Sequence, residues 1–192
     1  MKFQQTPVYG FTCKADGIAR VLKNDINLSE AFDPASGKPS PIKKPYTGIW
    51  DTGATGTLIS KDIITGLHLL PSGKAKVHTV GEGGKVNEYE ANTYRVNIYL
   101  PNNVLIVDAV VAEGGIAGGD VLIGMDIIGA GDFAITNCNG QTHWSFRIPS
   151  VERIDFVEEI AEYNRQYGHL NLSADEKRKA RNKKKAERKR YR

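Results

Sequence analysis

Residues 94–100 alternate apolar and polar side chains in the order Tyr-Arg-Val-Asn-Ile-Tyr-Leu. A period of two is typical of a half-buried β-strand, because successive side chains of a strand point to opposite faces. The turn residues Pro101-Asn102-Asn103 follow, and then a nearly continuous apolar run, Val104–Val111. Asn139-Gly140, between two further apolar runs, is a strong signal for a tight hairpin. This pattern predicts a mostly β core.

Other parts of the chain predict a strand at Ile18–Leu22, an exposed loop at 33–41 and a strand at Tyr46–Trp50. A short helix is expected over Lys61–Thr65, capped by Ser60 and ended by Gly66. Residues 75–80 and the stretch from Val86 onward predict a long hairpin whose tip is the glycine cluster 81–84.

The character of the sequence changes after Pro149. Ile154, Val157 and Ile160 fall at helical spacing among glutamates, which predicts an amphipathic helix within 150–172. From Ser173 to Arg192 there are eleven Lys and Arg against three acids, a net +8 that leaves −4 for the rest of a chain of total charge +4. We therefore expect a domain at 1–149, a helix at 150–172 and a basic tail at 173–192, which a capping box at Ser173–Glu176 would make helical.

Asp51 follows the predicted strand Tyr46–Trp50 and opens the run Asp51-Thr52-Gly53-Ala54. An aspartate on a tight loop is one half of a site in which two carboxylates share a proton and activate a water to hydrolyse a peptide bond. In such a loop Thr52 can lock the backbone, and Gly53 lets the backbone approach the carboxylate. The tripeptide is common by chance, so a structural Asp turn is the alternative interpretation.

The order of elements around Asp51 resembles the retroviral protease family, the retropepsins, and its cellular relatives. A glycine-rich hairpin follows about 30 residues later, and Leu122-Ile123-Gly124-Met125-Asp126 follows about 70 residues later. In that family the catalytic loop threads beneath a strand with the pattern apolar-apolar-Gly, followed by a short helix. The resemblance covers roughly residues 46–137 and implies a closed acid-protease barrel.

The resemblance implies that Asp51 is the catalytic acid and that Thr52, Gly53 and Ala54 complete the active-site loop. It also implies that the hydroxyl of Thr52 reaches the loop of a partner subunit. Gly124 and Asp126 would then support the loop. Gly81, Glu82, Gly83 and Gly84 lie where the substrate-binding flap is expected, with an ordinary β-turn as the alternative. Only one Asp-Thr-Gly occurs, so a second chain is needed to complete the pair of carboxylates, and we expect a homodimer.

Two positions depart from the viral pattern. Many viral members pair an acid four residues after the catalytic aspartate with an arginine after the apolar-apolar-Gly strand, and here these positions are Thr55 and Met125. Both partners of the ion pair are missing together, which avoids leaving an unpaired charge near the site. The chain therefore resembles the cellular and bacterial relatives more than the viral enzymes.

The expected partner is a peptide or protein substrate, with no cofactor and no metal, since the histidines and Cys13 and Cys138 lack metal-ligand spacing. No stretch approaches the roughly 20 apolar residues that span a bilayer, and we expect a cytoplasmic location. The basic tail is either a solvated end, a localisation signal or a nonspecific contact for nucleic acid or an acidic partner. The alternative to an aspartic endopeptidase is a non-catalytic dimeric module that binds peptide or nucleic acid.

Overall fold

The computed structural model describes residues 7–80, 86–167, 173–179 and 181–182. Within these ranges the strands are β1 (Tyr9–Lys14), β2 (Leu22–Glu30), β3 (Lys44–Trp50), β4 (Leu58–Ile59), β5 (Gly73–Val80), β6 (Val86–Tyr99), β7 (Leu105–Glu113), β8 (Val121–Ile123), β9 (Asp132–Cys138) and β10 (Gln141–Ile148). The helices are α1 (Lys61–Gly66), α2 (Met125–Ile128) and α3 (Phe156–Tyr167), and a short 3₁₀ turn covers Pro34–Ser36. The fold is mostly β, as predicted.

The chain divides into two compact units, Met1–Val151 and Glu152–Arg192. All ten strands belong to the first unit, and α3 belongs to the second.

Seven strands of the first unit form a sheet in the order β2-β3-β8-β4-β7-β6-β5. An additional antiparallel pairing of β2 with β6 joins Asn27–Glu30 to Val96–Tyr99, so six of these strands close into a ring. β3 pairs with β8 in parallel, and Trp50 lies opposite Ile123. Because parallel strands end at the same edge, the segments that follow β3 and β8 meet there.

The other sheet has the order β1-β10-β9, and both pairings are antiparallel. β9 and β10 are joined by Asn139-Gly140, which adopt φ angles of 53° and 75°. Left-handed conformations at both central residues match the twist of the flanking strands, and Asn-Gly tolerates them best. The hairpin predicted from this dipeptide is confirmed.

Aromatic side chains join the two sheets in a shared core. Trp50 at the end of β3 stacks on Phe133 at a ring-centroid distance of 5.1 Å, and it contacts Phe146 at 5.2 Å and Phe11 at 5.8 Å. The Trp50 Nε1–H donates to the Asn24 side chain at 2.7 Å, which satisfies its polar group in this buried position. The residue before Asp51 is therefore held firmly in the core.

The remaining core is aliphatic and fills the ring. Its buried side chains include Ile26, Leu28, Ile59, Ile63, Val96, Ile98, Val111, Val121 and Ile123. The alternation predicted at 94–100 is confirmed, since Tyr94, Val96, Ile98 and Leu100 are all buried. A register shift between Val96 and Ile98 bends β6 at the point where it pairs with both β2 and β7.

The predicted strand at Ile18–Leu22 is wrong, because β2 begins only at Leu22 and runs to Glu30. Ile18 and Val21 are exposed, whereas Ile26 and Leu28 are almost fully buried. A local run of apolar residues was therefore a weaker signal than the alternation that begins at Leu22.

Helix α1 forms where the sequence predicts it, but Ser60 occupies the N-cap position without a side-chain capping bond. The Ser60 hydroxyl is buried and has no hydrogen-bond partner among the described residues. The helix therefore begins where it was predicted, but the predicted capping hydrogen bond from the Ser60 side chain is absent.

In the second unit, α3 lies within the segment for which a helix is expected, and none of its residues is buried. Further on, the Ser173 N–H donates to Glu176 Oε2 at 2.8 Å, and the Glu176 N–H donates to Ser173 Oγ at 3.3 Å. These are the two reciprocal bonds of a capping box. Across the described ranges, no helix is both long enough and apolar enough to cross a membrane.

Candidate active site

Asp51 lies at the end of β3, where the parallel partner strand β8 also ends. The Asp51 N–H donates to Ile123 O at 3.0 Å, so the pairing of the two strands continues into the loop. This bond, together with buried Trp50, fixes the backbone from which the carboxylate projects.

The loop is shaped by short-range bonds to Asp51 itself. The Gly53 N–H donates to Asp51 Oδ1 at 2.8 Å, and the Ala54 N–H donates to Asp51 O at 3.2 Å. A Cβ at Gly53 would lie 3.1 Å from Asp51 Oδ1, so a side chain there would crowd the carboxylate. The carboxylate is half-buried, whereas Thr52 and Gly53 are exposed. The Thr52 hydroxyl has no partner within the described part of the chain.

Gly124 supports the loop from beneath through close backbone packing. A Cβ at this position would lie 2.6 Å from both C and O of Gly56, a distance that side chains do not adopt. The Met125 N–H donates to Ala54 O at 2.8 Å, which ties the start of α2 to the same loop. The sequence predicted Gly124 as a loop support, and the structure brings it into direct contact with the loop.

Asp126 and Thr57 form a second tie between α2 and the loop. The Asp126 carboxylate accepts from the Thr57 N–H at 3.0 Å and from the Thr57 hydroxyl at 2.7 Å. The Thr57 hydroxyl also accepts from the Gly124 N–H at 3.1 Å. The Thr57 hydroxyl thus connects the Gly124 backbone, at the end of β8, with the Asp126 side chain in the first turn of α2.

Asp126 was predicted as a loop support from the sequence, whereas Thr57 was not. Thr57 is almost fully buried, whereas Thr52 and Thr55 on the same loop are exposed. A single sequence offers one weak signal, namely that Thr57 directly precedes the apolar pair Leu58-Ile59 and so lies at the start of a strand. Which of three threonines turns inward is decided by the packing of β4 between β7 and β8.

A cleft of about 420 Å³ lies beside the loop. Its lining residues come from the loop and β4 (53–58), from β5 (75–79), from Thr93 on β6, from β7 (110–112) and from Asp126. Asp51 is not among these lining residues, but Gly53, which binds its carboxylate, is. The cleft therefore reaches to within two residues of the candidate catalytic group.

The arm of the hairpin that borders this cleft carries ion pairs on exposed positions. Lys76 Nζ lies 2.7 Å from Glu88 Oε1, and His78 Nε2 lies 2.9 Å from Glu88 Oε2. The hydrogen bond from Lys76, and after it the bond from His78, holds the pKa of Glu88 below its usual value of 4.5. The expected flap residues Gly81, Glu82, Gly83 and Gly84 lie outside the described residues.

No group of three or more His, Cys, Asp or Glu side chains in the described ranges is arranged to hold a metal ion. The chemistry that the loop offers on its own is that of one carboxylate, two residues from a cleft of about 420 Å³. Such a group acts as a general base or, when protonated, as a general acid.

Part of the chain is similar to known proteins. Solved structures that the chain is similar to include a retropepsin-like aspartic protease from Rickettsia conorii, with 12% sequence identity, coverage of 74% of this chain and 97% of that chain, and a TM-score of 0.39. No curated protein sequence matches this chain. Residues 43–130 match the profile of the family described as gag-polyprotein putative aspartyl protease, a span that contains β3, the Asp51 loop, the cleft and α2. This segment of the chain is therefore similar to the gag-polyprotein aspartyl protease family.

Proposed function

We propose that the protein is an aspartic endopeptidase that works as a homodimer, with one Asp51 from each subunit. The observation that carries the proposal is the presentation of the Asp51 carboxylate. It projects from a loop fixed by Ile123, Gly124 and Asp126. The same loop, from Gly53 onward, lines a cleft large enough for peptide side chains.

In the proposed reaction the two Asp51 carboxyls share one proton. The ionised carboxylate takes a proton from water while the water oxygen attacks the carbonyl carbon, and the protonated partner gives its proton to the carbonyl oxygen. The tetrahedral diol then collapses and the C–N bond breaks. The protonated carboxyl gives its proton to the leaving amine, and the ionised carboxylate takes a proton from a diol hydroxyl as the new C=O forms. The pair of carboxyls returns to its starting state with one shared proton.

The homodimer follows from this chemistry, because one chain supplies one Asp-Thr-Gly loop. Two further observations support it. Thr52 and Gly53 are exposed at the tip of the loop, and the Thr52 hydroxyl lacks a partner within the described part of the chain. A second copy of the loop across a two-fold axis supplies both the missing carboxylate and a partner for that hydroxyl.

The test is cleavage of a peptide library by the wild-type protein and by Asp51→Asn. We expect the substitution to lower cleavage by at least about 10²–10⁴-fold, the range that general acid–base catalysis supplies. Asn keeps the size of the side chain, and its Oδ1 can still accept the Gly53 N–H bond. Asp25→Asn, an exposed position on β2, is the matched control and should cleave like wild type.

Equal cleavage by wild type and Asp51→Asn would remove Asp51 from the mechanism. The absence of cleavage in both, combined with retained peptide binding, would favour a non-catalytic peptide-binding module. Sedimentation of the active preparation tests the dimer, since a strictly monomeric protein that cleaves would contradict it.

The cytoplasmic location and the contact of the basic tail with nucleic acid or an acidic partner stay predictions. Lys177, Arg178, Lys179 and Arg181 are exposed and available for such a contact. Nucleic-acid retention at low salt by the full chain and by a chain ending at residue 172 tests the tail, because counterion release makes such binding depend on the basic residues.

A further inference from the structure

The cleft beside the Asp51 loop has an uneven distribution of charge. Among the described residues that line it, Asp126 is the one carboxylate. Lys76 also lines the cleft and forms an ion pair with Glu88, and the His78 ring, which is charged only when protonated, lies 2.9 Å from the other oxygen of the Glu88 carboxylate. No cationic side chain in the described part of the chain forms an ion pair with Asp126. With the His78 ring neutral, as at pH 7, the one unpaired charge among the described lining residues is the negative charge of Asp126.

The Asp126 carboxylate is held in a fixed orientation with acceptor capacity left over. Oδ1 accepts from the Thr57 hydroxyl and from the Ile127 N–H, and Oδ2 accepts from the Thr57 N–H. An ionised carboxylate has about four acceptor sites, so Oδ2 in particular can accept another bond. The residue is exposed, which leaves this oxygen open to a ligand in the cleft.

The walls around this charge are largely aliphatic. Leu58, Val77, Val110 and Ala112 contribute apolar surface to the same cleft. Lysine and arginine side chains combine a long apolar stem with a cationic head, and they commonly pack the stem on apolar surface while the head reaches a polar partner. A charge-assisted hydrogen bond to a carboxylate is shorter and stronger than a neutral one.

We propose that Asp126 is a specificity-determining residue and that the cleft selects peptide segments carrying a lysine or arginine side chain. The aliphatic stem of that side chain packs on Leu58 and Val110, and its cationic head donates to the Asp126 carboxylate. The inference rests on the proposed function only in taking this cleft as the peptide site. It does not require that the bound peptide be cleaved.

The experiment measures peptide binding to the Asp51→Asn protein, so that the bound peptide is not cleaved during the measurement. Short fluorescent peptides carry lysine, arginine, norleucine or glutamate at one scanned position in an otherwise neutral sequence. We expect at least one position at which lysine or arginine binds about tenfold more tightly than norleucine, the gain from one hydrogen bond to a charged group. Glutamate at that position should bind most weakly.

The double variant Asp51→Asn/Asp126→Asn should lose this preference, and Asp51→Asn/Asp126→Glu should retain most of it. The matched control is Asp51→Asn/Asp62→Asn, because Asp62 also lies in the first turn of a short helix but does not line the cleft. If Asp126→Asn weakens the fold, the preference of the Asp51→Asn protein is measured at low and high salt instead, and it should shrink as salt screens the charge.

A lysine preference that survives Asp126→Asn, or one that is insensitive to salt, overturns the inference. So does the absence of any position that favours a basic residue. These outcomes are separate from a failure of the proposed function, which appears as wild-type protein that binds peptides without cleaving them.

Discussion

The Asp51 loop and the β5–β6 hairpin line the same cleft, and they are held in place by opposite means. The loop is tied by backbone bonds to Ile123 and Met125, by the close packing of Gly56 on Gly124 and by the buried Thr57 hydroxyl. The hairpin arm is tied to itself by its strand pairing and by exposed pairs such as Lys74 with Glu90 and Lys76 with Glu88.

This difference is what the proposed function would require of the two sides of the cleft. A general acid or base must be held within a few tenths of an ångström, and buried hydrogen bonds and close packing achieve that. A lid must move to admit substrate, and solvent-exposed ion pairs add little to its stability. We call the Asp51 loop with its supports Thr57 and Gly124 the floor of the cleft, and strand β5 of the hairpin its arm. Substitutions on the floor should therefore lower the free energy of unfolding more than substitutions on the arm.

The largest effect is expected for Gly124→Ala. Its new Cβ would lie 2.6 Å from two backbone atoms of Gly56, and neither strand β8 nor the loop can move aside without breaking its pairing. We expect a loss of about 3 kcal/mol or more in the free energy of unfolding, measured by urea denaturation, since overpacking against backbone is at the upper end of its range.

Gly115→Ala is the matched control, because a Cβ there meets nothing within 4 Å. It should unfold within about 0.5 kcal/mol of wild type. If both alanine variants unfold alike, the close packing of Gly124 on Gly56 is not what holds the loop.

A smaller loss is expected for Thr57→Val, which keeps the shape of the side chain and removes its hydroxyl. The buried Gly124 N–H loses its acceptor, and Asp126 loses the 2.7 Å bond. One unsatisfied buried group costs about 1–3 kcal/mol, measurable by the same denaturation.

Thr136→Val on β9 provides the comparison, because Thr136 is also on a strand but is exposed. It should change the free energy of unfolding by no more than about 0.5 kcal/mol. Equal losses at Thr57 and Thr136 would show that the relay through Thr57 contributes nothing specific.

The smallest effect is expected on the arm, for Lys76→Gln. Removing this donor should raise the pKa of Glu88 toward 4.5, since the bond from Lys76 is the main cause of its lowered value. A lowered folded-state pKa stabilises the fold above the unfolded value, and the contribution is lost as pH falls through the folded pKa. The expected result is a shifted Glu88 titration by NMR with no measurable change in melting temperature, because the pair is exposed.

Lys74→Gln is the control on the same strand, since Lys74 pairs with Glu90 instead of Glu88. It should leave the titration of Glu88 unchanged. A marked loss of thermal stability in Lys76→Gln alone would contradict the contrast between floor and arm.

Much of the β structure in both sheets was predictable because it depends on local patterns. The alternation at 94–100, the Asn139-Gly140 turn and the strand leading into Asp51 are each encoded within a few residues. The start of β2 and the chemistry at Ser60 were predicted wrongly, because burial at both places depends on strands that are distant in sequence.

The candidate site shows the same division. Asp51, Gly124 and Asp126 were singled out from the sequence, since a recurring pattern of residue types carries them. Thr57 was not, because its inward orientation exists only once β4 lies between β7 and β8.

The sequence by itself determined the mostly β class, the family signature and the single Asp-Thr-Gly that makes a second chain a chemical requirement of the proposed reaction. Only the tertiary structure decided how close Gly56 and Gly124 come, which threonine bridges them to Asp126, and that Asp126 faces the cleft. The physical reason is that residue types and short periods are local properties. Contact distances and uncompensated charge depend on segments about 70 residues apart, which the parallel pairing of β3 and β8 brings together.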